Sequence, residues 1–168
     1  MILNKQTKVR LAKRPLQEFL RKAQRELQIA DAEITVAFVS DAEIARWNEQ
    51  YRHKQGPTDV LSFPAVAGAK TAAGKNGAPA SRRADSYAPR STRHSPRATR
   101  HASLFFGDIA IAPETAKRYS RKNGRTLSKE LRVLILHGVL HLMGYDHECD
   151  AGEMKRIEQR LRRRLGVA

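Results

Sequence analysis

The segment Leu127–Met143 constrains the fold more than any other part of the chain, because it has helix length and apolar residues on nearly every side. A helix of this kind cannot lie on a protein surface and has to be covered by other elements. Its longest uninterrupted apolar run, Val133–Leu136, is far too short to cross a bilayer. The chain must therefore fold around this helix, and 168 residues are enough for one domain with a substantial core.

Strands and helices that can cover this segment are predicted before and after it. Hydrophobic periodicity, capping residues and turn residues locate them. An edge strand is predicted within Met1–Arg10. Three further strands are predicted over Ile34–Val39, Val60–Phe63 and Phe105–Ala112, the second of them ended by Pro64. Helices are predicted over Pro15–Leu27, after a capping box of Ser40 and Glu43, from Pro113 to Asn123, and after a second capping box of Asp150 and Glu153.

The segment Ala65–Ser103 differs from the rest of the chain in composition. Small residues, proline and arginine dominate it, and its apolar residues follow no period. Eight Lys or Arg and one acidic residue give it +7 of the total charge of +15. Such a segment cannot bury enough apolar area to offset the entropy lost on ordering. We therefore expect one domain over residues 1–168, interrupted by a disordered basic insertion.

The net charge of +15, from 32 Lys and Arg against 17 Asp and Glu, favours a polyanionic partner. Neutralising phosphate groups releases their counterions, which raises affinity without any readout of sequence. Solubility alone, or an arginine-rich source genome, would produce the same surplus. Charge therefore agrees with a nucleic-acid partner but does not establish one.

The chain is expected in the cytoplasm, with no membrane association. Cys149 is the single cysteine, so no internal disulfide can form, as in proteins of reducing compartments. The segment Met1–Leu20 scatters Lys and Arg among short apolar pieces and contains no continuous hydrophobic leader.

Three histidines at the end of the buried helix have the spacing of metal ligands. His137 and His141 are four residues apart, so both imidazoles lie on one helix face and can converge on one ion. Gly144 suits the end of the helix, because glycine takes the left-handed conformation without penalty. The chain can then turn back and deliver His147 to the same point. Three ligands leave a fourth position open, as in catalytic zinc sites, although imidazole also suits other divalent transition metals.

The same spacing occurs in the metzincin proteases, which place a general base, a glutamate, directly after the first histidine. Here that position is Gly138. The pattern predicts metal-assisted hydrolysis, but the missing glutamate counts against proteolysis.

The sequence also resembles a known family. The run His137–His147 is similar to the signature of the YbeY family, bacterial endoribonucleases of ribosomal RNA maturation. Two further blocks agree with that family's pattern, Tyr51–Pro64 (YRHKQGPTDVLSFP) and Gly107–Ile109 (GDI). The blocks follow the expected order and cover nearly the whole chain apart from the insertion. The chain departs from the family at His53, where a small residue is expected, and in the length of the insertion.

This resemblance implies an α+β, zincin-like fold with a small mixed sheet of about four strands and the metal site on a buried helix. It implies a zinc-dependent, single-strand-specific endoribonuclease with one ion per chain. The expected role is 3′-end maturation of small-subunit (16S) rRNA and ribosome quality control, with RNA and ribosomal proteins as partners. In that family the three motif histidines hold the metal, and an arginine matching Arg52 lies in the same cleft.

Arg52 and His137 are the residues expected to serve catalysis, His137 through the metal that it holds. A guanidinium forks onto two phosphate oxygens and stays charged, so Arg52 is expected to bind substrate phosphate. Without the resemblance, Arg52 would be interpreted as a solvated cation at a helix end. The nucleophile is either a water activated by the metal or the RNA 2′-hydroxyl, and the sequence does not distinguish the two.

Other residues near the motifs keep open roles. Asp146 is either an acceptor that orients a ligand imidazole or a turn residue. Asp108 is either a strand-end acid or a group near the cleft, and Asp59 begins a strand. Cys149 is a conceivable soft ligand, although three histidines already complete a catalytic set. Trp47 is expected in the core rather than as a platform for base stacking.

Three functions remain open at this point: an endoribonuclease, a metallopeptidase-like hydrolase, and a non-catalytic zinc-containing ribosome assembly factor. Gly138 argues against the second. The open fourth coordination position argues against the third.

Overall fold

The structure is a computed structural model that describes residues 1–65, 105–147 and 150–167. The disordered insertion expected at Ala65–Ser103 lies outside these residues except for Ala65, and Cys149 lies outside them as well. Within the described ranges the fold is α+β, with a four-stranded mixed sheet and five helices, so the predicted fold class is confirmed.

A mixed sheet forms the centre of the described part of the chain. Its strands are β1 (Ile2–Asn4), β2 (Glu33–Phe38), β3 (Val60–Pro64) and β4 (Phe105–Ile111). They lie in the order β1-β2-β4-β3, with β1 and β4 parallel to β2, and β3 antiparallel to β4. The four predicted strands are confirmed, and β1 lies at an edge as expected. β3 includes Pro64, which a strand tolerates here because β3 is the other edge of the sheet.

Helices cover the sheet on both faces. They are α1 (Lys13–Glu26), α2 (Asp41–Arg52), α3 (Pro113–Lys122), α4 (Leu127–Leu142) and α5 (Glu153–Arg164). The Ser40 hydroxyl accepts a hydrogen bond from the Glu43 N–H at 3.2 Å, which confirms that part of the predicted cap. The second predicted capping box is wrong, because the N-cap residue of α5 is Gly152, in the left-handed conformation, and not Asp150. Asp150, two residues before this N-cap, still caps the helix with its side chain: its carboxylate accepts hydrogen bonds from the N–H groups of Gly152 and Met154, both at 2.7 Å.

The sheet separates two hydrophobic cores. Side chains alternate along β2, so that Ile34, Val36 and Phe38 face the larger core, which α1, α4 and α5 cover. Ala37 and Val39 face the smaller core beneath α2. The predicted burial of the apolar helix is confirmed, since α4 lies within the larger core.

α4 approaches the sheet most closely at Gly138. A Cβ placed on this residue would lie 2.8 Å from Cγ2 and 2.9 Å from Cδ1 of Ile109 on β4. Ile109 is completely buried, and its β-branched side chain has few rotamers to move into. The hydroxyl of Ser62 on β3 also donates to the Gly138 carbonyl at 3.4 Å. Glycine is therefore needed here for the packing of helix on sheet.

β4 makes a second close approach, to β3, at Gly107. The φ of Gly107 is +141°, a conformation that other residues rarely adopt. A Cβ there would collide with the Phe63 carbonyl and lie 2.9 Å from Leu142 Cδ2. The Gly107–Ile109 block thus marks the point where two strands and the end of α4 meet.

The β3–β4 ladder continues to the limit of the described residues. The Ala65 N–H donates to the Phe106 carbonyl at 3.2 Å, one step beyond the pairing of Pro64 with Gly107. The two chain segments on either side of residues 66–104 are therefore held next to each other by backbone hydrogen bonds.

Replacing Gly138 with alanine should lower the free energy of unfolding by up to about 2 kcal/mol. Overpacking against Ile109 should cost about 1–3 kcal/mol, more than alanine gains over glycine in a helix, which is about 1 kcal/mol. Denaturant unfolding of Gly138→Ala, Ile109→Ala and the double variant measures this contact. We expect the double variant to be more stable than the sum of the two single changes in unfolding free energy would give. If Gly138→Ala is instead more stable than the wild type and the two changes simply add, α4 does not contact the sheet at this point.

Candidate metal centre

The structure brings the three predicted metal ligands together. His137 and His141 project from adjacent turns of α4, with their Nε2 atoms 3.1 Å apart. The ring of His147 lies 5.6 Å and 5.4 Å from theirs, between centroids. One ligand atom from each of the three histidines falls within 4.8 Å of the others. In a tetrahedral site with Zn–N bonds of about 2.0–2.1 Å, the nitrogens lie roughly 3.3 Å apart, so this cluster fits a single ion.

The turn after α4 delivers His147 to the cluster. Gly144 has a φ of +89°, the left-handed conformation predicted for it. Its N–H donates to the His141 carbonyl at 2.9 Å, and the Tyr145 N–H donates to the Leu140 carbonyl at 3.1 Å. These two bonds form a Schellman motif, which ends the helix and reverses the chain. The third histidine is thus positioned by backbone geometry that glycine makes possible.

The environment of the cluster keeps His141 neutral. Burial lowers the pKa of His141, and the neighbouring rings of His137 and His147 lower it further, against a weaker opposing effect of Asp146. A neutral imidazole has a free lone pair, which is the form that binds a metal. The His141 side chain is half-buried and that of His147 is exposed, so the cluster is open to solvent on one side.

Glu158 on α5 lies against the outer face of His137, 3.5 Å from its Nδ1 atom. Arg162 donates to the same carboxylate oxygen at 2.8 Å. Burial raises the pKa of Glu158, but His137 and Arg162 together outweigh it, and the net pKa lies below the usual range. An ionised Glu158 at this position favours the tautomer of His137 that carries its proton on Nδ1, and in that tautomer the Nε2 lone pair faces the other histidines. The arrangement is that of a carboxylate orienting a metal-binding histidine.

Glu158 was not predicted from the sequence, because it lies on a different helix from the histidine motif. A local signal was available. Glu158 stands four residues after Met154 and three before Leu161, both buried, so it flanks the apolar face of α5. An acid in that position needs a partner. Asp146, for which an orienting role was left open, lies near enough to His141 for its charge to raise that residue's pKa.

Arg52 and the histidines belong to different layers of the fold. Arg52 is exposed in the last turn of α2, which covers the face of the sheet opposite α4. His53 follows with a φ of +55°, in the left-handed region. This conformation explains why a small residue is expected at this position, although histidine is among the residues that tolerate it better.

The variant Glu158→Gln should bind metal about 10- to 100-fold more weakly, because outer-sphere partners of ligand histidines typically contribute that much. Competition with a chromophoric chelator measures the affinity. Glu153→Gln, at the exposed start of the same helix, is the matched control for loss of one negative charge. Equal affinities in the two variants would rule out the orienting role.

Comparisons with known proteins find relatives over nearly the whole chain. The family described as "Endoribonuclease YbeY" matches residues 1–166. A protein of that name from Koribacter versatilis is 33% identical over 165 residues, which cover 98% of this chain and 85% of the relative. Another from a Bradyrhizobium species is 37% identical over 142 residues, covering 83% and 69%.

A solved structure has a similar fold. The solution structure of TM1509 from Thermotoga maritima superposes with a TM-score of 0.56 and is 25% identical, covering 98% of this chain and 89% of that one. The family match over residues 1–166 includes α4, which carries His137 and His141, and the turn that leads to His147. The chain belongs to the endoribonuclease YbeY family.

Proposed function

We propose that this protein is a metal-dependent endoribonuclease that cleaves single-stranded RNA. Its proposed physiological role is 3′-end maturation of small-subunit rRNA and ribosome quality control. The observation that carries the proposal is the convergence of His137, His141 and His147, open on one side, in a chain of this family. Zinc is the ion we propose, one per chain, because it suits three imidazoles and an open position; another divalent transition metal would fit the same donors.

The residues around the cluster divide the chemistry between them. A divalent cation held by the histidines would supply Lewis-acid activation of the nucleophile and neutralise charge that develops on the phosphate. Glu158 keeps the Nδ1 proton of His137 in place and so fixes the orientation of that ring. Arg52 is proposed to bind a phosphate of the same RNA through its guanidinium. These roles fit attack either by water or by the 2′-hydroxyl of the RNA.

The packing of Gly138 argues against a metallopeptidase. Metzincin proteases carry their glutamate base directly after the first histidine, and Gly138 occupies that position. Because even a Cβ would meet Ile109 there, this helix cannot carry a side chain at that point without moving away from the sheet. A peptidase of that type would therefore lack its general base.

The ligand set argues against a purely structural zinc. Among the residues that the structure describes, the group of His, Cys, Asp and Glu able to hold an ion contains only the three histidines. A structural zinc site is typically closed by four protein ligands. A coordination sphere with three protein ligands leaves room for substrate.

RNA as the partner is supported by the family and by the net charge of +15. The insertion Ala65–Ser103 carries +7 of this charge, and we propose that it adds attraction to RNA regardless of sequence. Ribosomal proteins are proposed as further partners, and action on ribosomal RNA would place the protein in the cytoplasm. Within the described ranges, no helix combines the length and the apolarity that crossing a membrane requires.

The variant His141→Ala should hold far less than one ion per chain and should lose RNA cleavage. Elemental analysis and gel assays with single-stranded RNA, with and without chelator, measure the two effects, and casein serves as the peptidase substrate. Thermal stability should also fall, because an ion that binds the folded state stabilises it. His53→Asn, an exposed histidine outside the cluster, is the control. Wild-type metal content in His141→Ala, or casein cleavage by the wild type, would contradict the proposal.

The variant Arg52→Ala should keep its metal and fold but cleave RNA about 10- to 150-fold more slowly, because a hydrogen bond to a charged phosphate contributes about 1.5–3 kcal/mol. Arg52→Lys should restore only part of the rate, because an ammonium cannot fork onto two oxygens. Arg46→Ala, exposed on the same helix, controls for the loss of one positive charge. Cleavage by Arg52→Ala at the rate of this control would remove Arg52 from the mechanism.

A further inference from the structure

A pocket of about 200 Å³ lies on the face of the sheet that α2 covers. Its lining includes Trp47 and Tyr51 from α2, Phe63 from β3, and Phe105 and Asp108 from β4. We call this set the aromatic pocket. Its volume is below the roughly 300–1,000 Å³ of sites for drug-sized ligands, so it suits a single small ring.

The aromatic pocket concentrates the aromatic residues of the chain. It holds four of the ten Phe, Tyr and Trp residues, including the only tryptophan. Tyr51 is 45% exposed and Phe105 is 36% exposed, although large apolar side chains elsewhere in the described structure are mostly buried. Neighbouring exposed aromatic side chains of this kind mark binding sites.

Three rings of the aromatic pocket contact one another edge to face. Phe63 packs edge-to-face with Trp47, at 6.1 Å between centroids and an interplanar angle of 88°. It packs in the same way with Tyr51, at 5.3 Å and 76°. Edge-to-face contacts of this kind are a favoured arrangement of aromatic rings, and they join the three side chains into one aromatic wall of the pocket. The pocket can therefore accept a planar aromatic group.

Asp108 gives the aromatic pocket a polar wall. Burial raises the pKa of this half-buried carboxyl group, and a hydrogen bond from the Thr35 hydroxyl opposes the rise only in part. A carboxylate can accept more hydrogen bonds than the one from Thr35, and a purely apolar ligand would bury this remaining acceptor capacity without satisfying it, which costs free energy. A ring that carries an amino group would instead donate to it, as cytosine N4 does to acidic side chains. The pocket thus favours a ring with a donor over the apolar side chain of a peptide.

The position of the aromatic pocket relates it to the metal centre. Ile109, which borders the pocket, contacts Gly138, the residue next to His137. α4 packs on one face of β3 and β4 and the pocket opens on the other, with β3 as the free edge of the sheet between them. A single strand bound both in the pocket and at the histidine cluster would have to pass this edge. The positive net charge favours a polyanion as that strand.

We propose that the aromatic pocket binds one unpaired nucleobase of the RNA, stacked on the aromatic walls, with its exocyclic amino group donating to Asp108. This inference rests on the proposed function and deepens it. A base can enter such a pocket only when it is unpaired and unstacked from its neighbours. The aromatic pocket is therefore a physical source of preference for single strands, separate from the metal chemistry.

Binding of 2′-O-methyl oligonucleotide hexamers to the metal-loaded full chain tests the proposal. Anisotropy of a labelled hexamer gives the affinity, and the fluorescence of Trp47, the single tryptophan, reports whether a base reaches the pocket. We expect oligo(C) to quench Trp47 and to bind at least about 5-fold more tightly than oligo(U), since a specific base contact contributes about 1 kcal/mol or more. Asp108→Asn should bring the two affinities close together.

Tyr51→Leu should weaken oligo(C) binding by about 5- to 150-fold, which corresponds to the 1–3 kcal/mol typical of stacking on one base. Phe105→Leu is a second variant at an exposed position. Tyr119→Leu is the matched control, because Tyr119 is 41% exposed on α3, outside the pocket. Circular dichroism verifies that each variant is folded.

Equal affinities in Tyr51→Leu, Phe105→Leu and the Tyr119→Leu control, or binding that leaves Trp47 fluorescence unchanged, would overturn the nucleobase pocket. Cleavage of unmodified RNA by the wild type is measured in parallel. A chain that cleaves RNA but shows no effect of the pocket variants refutes this inference and keeps the proposed function. A chain that binds through the pocket without cleaving RNA supports this inference and refutes the proposed function.

Discussion

The contact between Gly138 and Ile109 is the constraint on which the rest of the structure depends. It sets how deeply α4 lies against the sheet, and thereby the position of every side chain that the helix carries. Because interiors are close-packed, one added methyl group here would have to displace the helix or the strand. With α4 seated at this depth, its buried residues fill the larger core while His137 and His141 stay at the margin, half-buried and open to solvent on one side.

The candidate metal centre consists of three parts that arise from different physical causes. The spacing of the first two histidines follows from the helical period, and the approach of His147 follows from the Schellman turn at Gly144. The third piece is Glu158, which reaches His137 only because α5 packs beside α4. Binding of an ion would tie all three pieces together, so metal affinity and folding stability should be coupled in this protein.

This division also explains how much could be predicted from the sequence. The helix over Leu127–Leu142, the strands and the turn at Gly144 were predictable, because each depends on local periodicity or on one residue's backbone preference. Glu158 and the aromatic pocket were not, since each joins residues that are distant in sequence and meet only through packing. Trp47 illustrates the limit: the expected core residue does pack on the smaller core, yet it also lines the pocket.

The hydrogen bond between Ala65 and Phe106 has a consequence for how the chain can change in length. The β3–β4 ladder pins both ends of whatever connects the two strands, so the register is set by the ladder and not by the connection. The entropic cost of closing a connection between two fixed ends grows slowly with its length, by about 0.6 kcal/mol for each doubling. Sequence can thus be gained or lost at this joint over evolution at small cost to the folded core. The connection between β3 and β4 is therefore also a suitable insertion site for a fluorescent protein or an affinity tag. The β3–β4 hydrogen bonds would keep the two parts of the enzyme in register.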